Sequence, residues 1–203
     1  SLKSIFFSHK DNILIQKTDN TFLTYEDFWK KSLLVKSNLL KNNLKKGDVV
    51  LFKLNNCEEY LIFCIACALG GLIFCPIDNR IKESRYNDYI DKIKPNLVID
   101  SSKKTESFYD DTDFDYNKEK DFSDLENDYL IIMTSGTTGE PKGMLFTLKS
   151  ILKSSFYFSK LIGYNQDSRI FHILPMHYMA GLINTFFSPL CSGSSIILER
   201  QFS

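Results

Sequence analysis

The chain is poor in arginine and carries no net charge. Arg80, Arg85, Arg169 and Arg200 are its only guanidinium groups, and 25 basic residues are matched by 25 acidic ones. A neutral balance gives no electrostatic footprint for nucleic acid or for an anionic membrane surface. Paired cysteine spacing is also lacking outside Cys64-x-x-Cys67. Five cysteines are an odd number, which points to a reducing compartment and a cytoplasmic location. Cys64 and Cys67 lie at i, i+3 inside the apolar run LIFCIACAL, where small buried hydrophobes are expected in preference to a zinc or redox pair. No transmembrane run is present. Residues 61–77 are uncharged, but Gly70-Gly71 divides them and Pro76 closes them, short of the roughly 20 apolar residues that a span needs. The N-terminal SLKSIFFSHKDN has too short an apolar stretch for a signal peptide. Internal repeats and low-complexity tracts are absent, and the 203 residues suffice for one large domain, or part of a larger one.

What is present is centred on residues 130–147, LIIMTSGTTGEPKGMLFT. An apolar strand runs into a Gly/Ser/Thr segment closed by Pro141-Lys142-Gly143, and a second strand follows. Gly136, Gly139 and Gly143 let main-chain N–H groups approach a ligand. Thr134, Ser135, Thr137 and Thr138 add hydroxyl donors, and Lys142 adds a compact charge. Such a loop suits phosphate oxygens. It is not a P-loop, because Lys142 lies between Pro141 and Gly143 and a strand follows where that motif requires a helix.

Upstream, a short hairpin is expected over Asn12 to Leu23, turning at Thr18-Asp19-Asn20. Thr24 caps a helix with Asp27 as its capping-box partner. The apolar strand Val49 to Leu54, the helix from Glu58 to Leu69 and the strand Leu72 to Cys75 suggest a parallel sheet covered on both faces. A helix over residues 82–93 and a strand from Leu97 to Ile99 follow. Residues 101–128 are rich in Asp. They lack the Gly and terminal Glu of a calcium loop, so a solvated connector is expected, with no metal site. Downstream come a helix over Ser150 to Ile162, a strand over Arg169 to Leu174, the segment LPMHYMAG (174–181), a helix to Leu190 and a strand from Ser194 to Leu198.

Residues 134–143 closely resemble the [ST]SGTTGxPKG signature of the adenylate-forming superfamily, which includes acyl-CoA synthetases, firefly luciferase and nonribosomal peptide synthetase adenylation domains. ALGGLIFCPID resembles that family's ALKAGAxYVPLD element, LTYEDFWKKS…KKGDVV resembles its opening, and LPMHYMAG resembles its LPLFHxxG element. The resemblance implies an α/β fold, predominantly parallel with helices on both faces and antiparallel strands near the phosphate loop. It divides the chain into a first α/β half (1–100), the acidic connector (101–128) and a phosphate-loop and acyl-pocket region (129–203).

The implied reaction is attack of a carboxylate on Mg-ATP. Pyrophosphate leaves, and the acyl-adenylate passes to CoA or to the phosphopantetheine of an acyl carrier protein. Thr134, Ser135, Gly136, Thr137, Thr138, Gly139 and Lys142 would hold phosphates; His177, Tyr178 and Gly181 would line the acyl pocket. Here Tyr178 stands where His is usual, and His177 comes one place earlier. Leu148 stands where many relatives carry His. The family's adenine-binding aromatic-Gly-x-Thr-Glu segment, ribose-binding Asp, hinge and catalytic-Lys domain are missing. The expectation is therefore an N-terminal part of a ligase, inactive alone. The alternatives are a non-catalytic truncated homologue that binds a nucleotide or partner, and, within the enzyme class, an amino-acid-activating enzyme. The carboxylic acid itself is left open.

Overall fold

The computed structural model describes residues 1–110, 114–119, 123–135 and 140–199. Two sheets share one core. The first has the order β2-β1-β9-β8, from β1 (Ile13–Lys17), β2 (Phe22–Thr24), β8 (Arg169–His172) and β9 (Ser195–Leu198). The second has the order β5-β3-β4-β6-β7, from β3 (Val49–Phe52), β4 (Ile73–Pro76), β5 (Leu97–Ile99), β6 (Asp128–Ser135) and β7 (Pro141–Thr147). Parallel pairing joins β1 to β9, β8 to β9, β3 to β4 and β5, and β4 to β6; β1–β2 and β6–β7 are antiparallel. The fold is thus mixed α/β and mostly parallel, with the antiparallel addition at the glycine-rich segment.

Helix α3 (Glu58–Gly70) explains why the sheets stay together. It is apolar on every side, and a helix of that kind has no face to give to water. Tyr60 through Leu69 are all buried, in one cluster with Leu14, Ile15, Ile196 and Leu198 of the first sheet and Val50, Phe52, Phe74 and Leu130 of the second. The opposite face of the second sheet, at Leu51 and Cys75, is covered by Tyr89 of α4 (Glu83–Ile93). Gly71 ends α3 with φ +66, a left-handed turn that glycine adopts without a Cβ penalty. Among the described residues no helix is long and apolar enough to cross a membrane.

Helix α2 (Tyr25–Lys41) starts as its sequence dictates. The Asp27 N–H donates to Thr24 Oγ1 at 3.0 Å, and the Thr24 N–H donates back to Asp27 Oδ2 at 3.3 Å, a complete capping box. Glu58 at the start of α3 meets Lys31 of α2 at 2.7 Å and Lys17 of β1 at 3.2 Å. Burial alone would push its carboxyl up, but the two lysines outweigh it and hold the pKa below the usual value.

Tyr25 closes the other end of the core, where its buried hydroxyl donates to the Ser194 carbonyl at 2.8 Å. Tyr25→Phe leaves that carbonyl without its donor and is expected to cost about 1–2 kcal/mol. Thermal denaturation reads this as a fall in Tm of several degrees.

The structure adds elements that the sequence did not announce: α1 (Leu2–Ser8), and α5 (Ser102–Glu106) within the acidic stretch. Helix α6 (Leu148–Ile162) begins immediately after β7 and is capped by Thr147 Oγ1, which accepts from the Ser150 N–H at 3.2 Å. The helix expected after Gly181 starts earlier and has three parts. These are α7 (Met179–Leu182), a π-helical turn (Ile183–Phe187) and α8 (Ser188–Ser192).

Candidate active site

The glycine-rich segment joins β6 to β7, whose described strands end at Ser135 and Pro141. Met133 pairs with Gly143, Thr134 with Lys142 and Ser135 with Pro141, so from Leu130 onward the two strands keep their register up to Ser135 and Pro141. The Thr134 hydroxyl donates across the hairpin to the Lys142 carbonyl at 3.2 Å, which fixes the strand ends. Lys142 itself is exposed. A Cβ on Gly143 would come within 3.2 Å of Ile131 Cγ2 and 3.3 Å of Met133 Sδ, so glycine lets the facing side chains close over β7. Gly136, Thr137, Thr138 and Gly139 lie outside the described residues, as does the side chain of Ser135.

A second group of candidates lies at the carboxyl ends of β3, β4 and β8, where the two sheets meet. In parallel α/β proteins this is the end at which ligands bind. After β8 the chain leaves the sheet through Ile173 and Leu174 and turns at Pro175, whose carbonyl accepts from the Tyr178 N–H at 3.2 Å. Gly181 packs against that turn so closely that a Cβ there would stand 2.2 Å from the Pro175 oxygen. Met176 is fully buried, whereas Tyr178 is 54% exposed, its ring 4.2 Å from that of His177.

His177 reaches inward. Its Nε2 is buried without a hydrogen-bond partner and lies 3.7 Å from the Asp78 carboxylate that follows β4. Burial pulls the imidazole below its ordinary pKa and the Arg80 charge acts in the same direction, while Asp78 opposes both. For Asp78, burial would raise the pKa, but hydrogen bonds from the Arg80 backbone and side chain and the charge of His177 carry it down.

Between these loops lies a cavity of about 490 Å³, lined among others by Asn55, Asn56, Asp78, Arg80, His172 and His177. His172, the last residue of β8, is fully buried. Its Nδ1 lies 3.0 Å from the Thr185 carbonyl of the π turn, so Nδ1 carries the proton; Nε2 is buried and unpartnered. Burial lowers its pKa from 6.5 to about 4, although the Thr185 bond works against this.

Between those two values the unfolded chain binds a proton that the folded chain refuses. The stability His172 contributes is therefore complete above pH 6.5 and is lost as pH falls toward 4. The loss amounts to about 3 kcal/mol at most. Urea midpoints measured from pH 7 to pH 4.5 should fall for the wild type, and less steeply for His172→Gln.

Of the residues singled out from sequence, the structure brings Thr134 together with Lys142, and His177 together with Tyr178 and with the Pro175–Gly181 turn. Sequence reasoning missed Asn56, Asp78 and His172 as parts of the site. Asp78 closes the ALGGLIFCPID element, which was the available signal. His172 and Asn56 had none, because a buried His at a strand end and an Asn after a strand are ordinary residues.

The profile of the AMP-binding enzyme family matches residues 7–203. A probable CoA ligase, CCL8, of Humulus lupulus is 41% identical over 78 residues, which are 38% of this chain and 13% of that protein. The nonribosomal peptide synthetase atnA of Emericella nidulans is 24% identical over 209 residues, 95% of this chain and 3% of that protein. Among solved structures, the NpsA N-terminal subdomain of Klebsiella oxytoca, in complex with 3-hydroxyanthranilyl-AMSN, superposes with a TM-score of 0.86 at 20% identity. That match covers 100% of this chain and 53% of the NpsA chain, and at such identity it shows the fold alone. This chain thus spans a small share of the curated relatives and about half of the solved subdomain.

Proposed function

Because the chain belongs to the AMP-binding enzyme family, we propose that it is the N-terminal part of an ATP-dependent acid–thiol ligase. Such a ligase activates a carboxylic acid as its acyl-adenylate, releases pyrophosphate, and transfers the acyl group to the thiol of CoA or of a carrier protein. The observation that carries this is the β6–β7 hairpin, whose paired strand ends carry Thr134, Ser135, Pro141 and the exposed Lys142 of TSGTTGEPKG. A segment rich in hydroxyls and glycine with an exposed lysine suits a polyphosphate, and the motif's carboxylate, Glu140, is exposed to solvent.

In this proposal Thr134, Ser135, Thr137, Thr138 and Lys142, with the backbone of Gly136 and Gly139, hold the phosphates that depart, so their work is charge stabilisation on the leaving group. Mg-ATP supplies the activated phosphorus and a magnesium ion to offset phosphate charge. His177, Tyr178 and Gly181 shape the acid's side of the site, at the junction of the two sheets. Residues 129–203 then carry both elements, with 1–100 as the supporting half and 101–128 as the connector.

Hydroxylamine trapping by the complete ligase tests the acid class. Aliphatic or aromatic acids should yield hydroxamates in the presence of ATP. Hydroxamates from amino acids alone would place the enzyme with the amino-acid-activating relatives, and none from any acid would remove the proposal.

A further inference from the structure

Three loops at the carboxyl ends of the strands are stitched together by side chains of the loop that follows β3. The Asn55 side-chain oxygen accepts from Asn79 Nδ2 at 2.6 Å, which ties this loop to the one after β4. Asn56 ties it to the loop after β8, 118 and 120 residues away: its Nδ2 donates to the Leu174 carbonyl at 2.9 Å, and its Oδ1 accepts from the Met176 N–H at 3.0 Å.

One side-chain amide thus serves both backbone groups that flank Pro175, as a neighbouring strand would. The chain needs this here. Among the described residues β8 lies at the end of its sheet's strand order and stops at His172, and no described strand pairs with residues 174–176. Pro175 contributes no N–H of its own. The buried Met176 and the close contact of Gly181 with the Pro175 carbonyl fix the far side of the turn. Asn56 fixes the near side. Between these points stand His177, with its buried Nε2 facing Asp78, and Tyr178.

We infer that Asn56 is a positioning residue for the acid-binding side of the site: its amide clamps the 174–176 backbone and so sets where His177 and Tyr178 stand. The inference rests on the ligase proposal above. It concerns the loop's placement and not the hairpin that holds phosphates, so the two substrates should respond differently. A clamp of two hydrogen bonds in a partly buried site is worth about a tenfold change in an equilibrium.

The test is carboxylate-dependent pyrophosphate exchange by the complete ligase, with KM for acid and for ATP measured separately, together with Tm. Asn56→Ala removes both bonds. Asn56→Asp keeps the acceptor for Met176 but sets a carboxylate oxygen against the Leu174 carbonyl. The expected result is a rise of about tenfold or more in KM for the acid in both variants, with KM for ATP within about twofold of wild type. Unchanged acid KM in either variant overturns the inference. So does a loss in which both KM values and Tm move together, since that is a general structural role. If the wild-type ligase exchanges pyrophosphate with no acid at all, the ligase proposal itself fails and takes this inference with it.

Discussion

Lys142→Ala in the complete ligase is expected to lower carboxylate-dependent pyrophosphate exchange by about 10²-fold, the usual scale for removing one group that stabilises developing charge. The physical reason is placement. Lys142 sits on β7 directly opposite Thr134, one pair from the point where the described strands end at Ser135 and Pro141. Its ammonium is exposed, so its removal should leave no cavity and no stranded buried partner, and Tm should stay within about a degree. The loss should appear in kcat for exchange more than in KM for the acid, because departing phosphates and not the carboxylate are the groups served. Exchange kinetics at saturating acid, with a melting curve for each protein, check both halves. An unchanged rate would remove Lys142 from the phosphate grip.

Gly181→Ala should do the reverse and act first on the fold. The new methyl would stand 2.2 Å from the Pro175 carbonyl oxygen and 2.8 Å from its carbon. Both are backbone atoms in a turn pinned by Asn56, so neither can move aside as the end of a flexible side chain could. Overpacking of this kind costs about 3 kcal/mol, and a clear drop in Tm is the expected readout. Gly70→Ala is the control: the atoms nearest its Cβ would be side-chain carbons of Leu72 and Lys36, none closer than 3.4 Å, and its cost should be much smaller. Equal stability of the two variants would show that the 175–181 turn is looser than the contact implies.

Local signals in the sequence carried much of the fold. Thr24 with Asp27 announced a helix start, and the structure has the reciprocal bonds of a capping box. The apolar run LIFCIACAL announced a helix with small buried hydrophobes at Cys64 and Cys67, and it lies in the shared core. The two strands around the glycine-rich segment were legible because apolar runs flank turn residues, and the family resemblance implied their antiparallel pairing. Distant pairings were not legible in the same way. β1 joins β9 in register from Ile15↔Ile196 to Lys17↔Leu198, so the hairpin read near the N-terminus belongs to the first sheet, whose completion depends on residues some 180 positions downstream. Nothing in either strand alone names its partner, since backbone hydrogen bonds carry no residue code.

The candidate site divides in the same way. TSGTTGEPKG and LPMHYMAG are dense in special residues and were visible at once. The π turn at Ile183–Phe187 was not, because it depends on how that helix is held: the Ser188 hydroxyl donates to the Ile183 carbonyl, and His172 Nδ1–H to that of Thr185. Asn56 was equally hidden. An asparagine after a strand reads as a turn former, and only the folded chain shows that its amide grips a loop 118 residues away.

In the proposed ligase the hairpin and the loop at the junction of the sheets serve adenylation of a carboxylic acid. Exchange of labelled pyrophosphate into ATP by the complete ligase tests it most directly. Label should enter ATP only when a carboxylic acid is present, and the rate should fall about 10²-fold in Lys142→Ala. Exchange that ignores the acid, or no exchange with any acid by a folded protein that binds ATP, would contradict the claim and leave a nucleotide-binding protein without ligase chemistry.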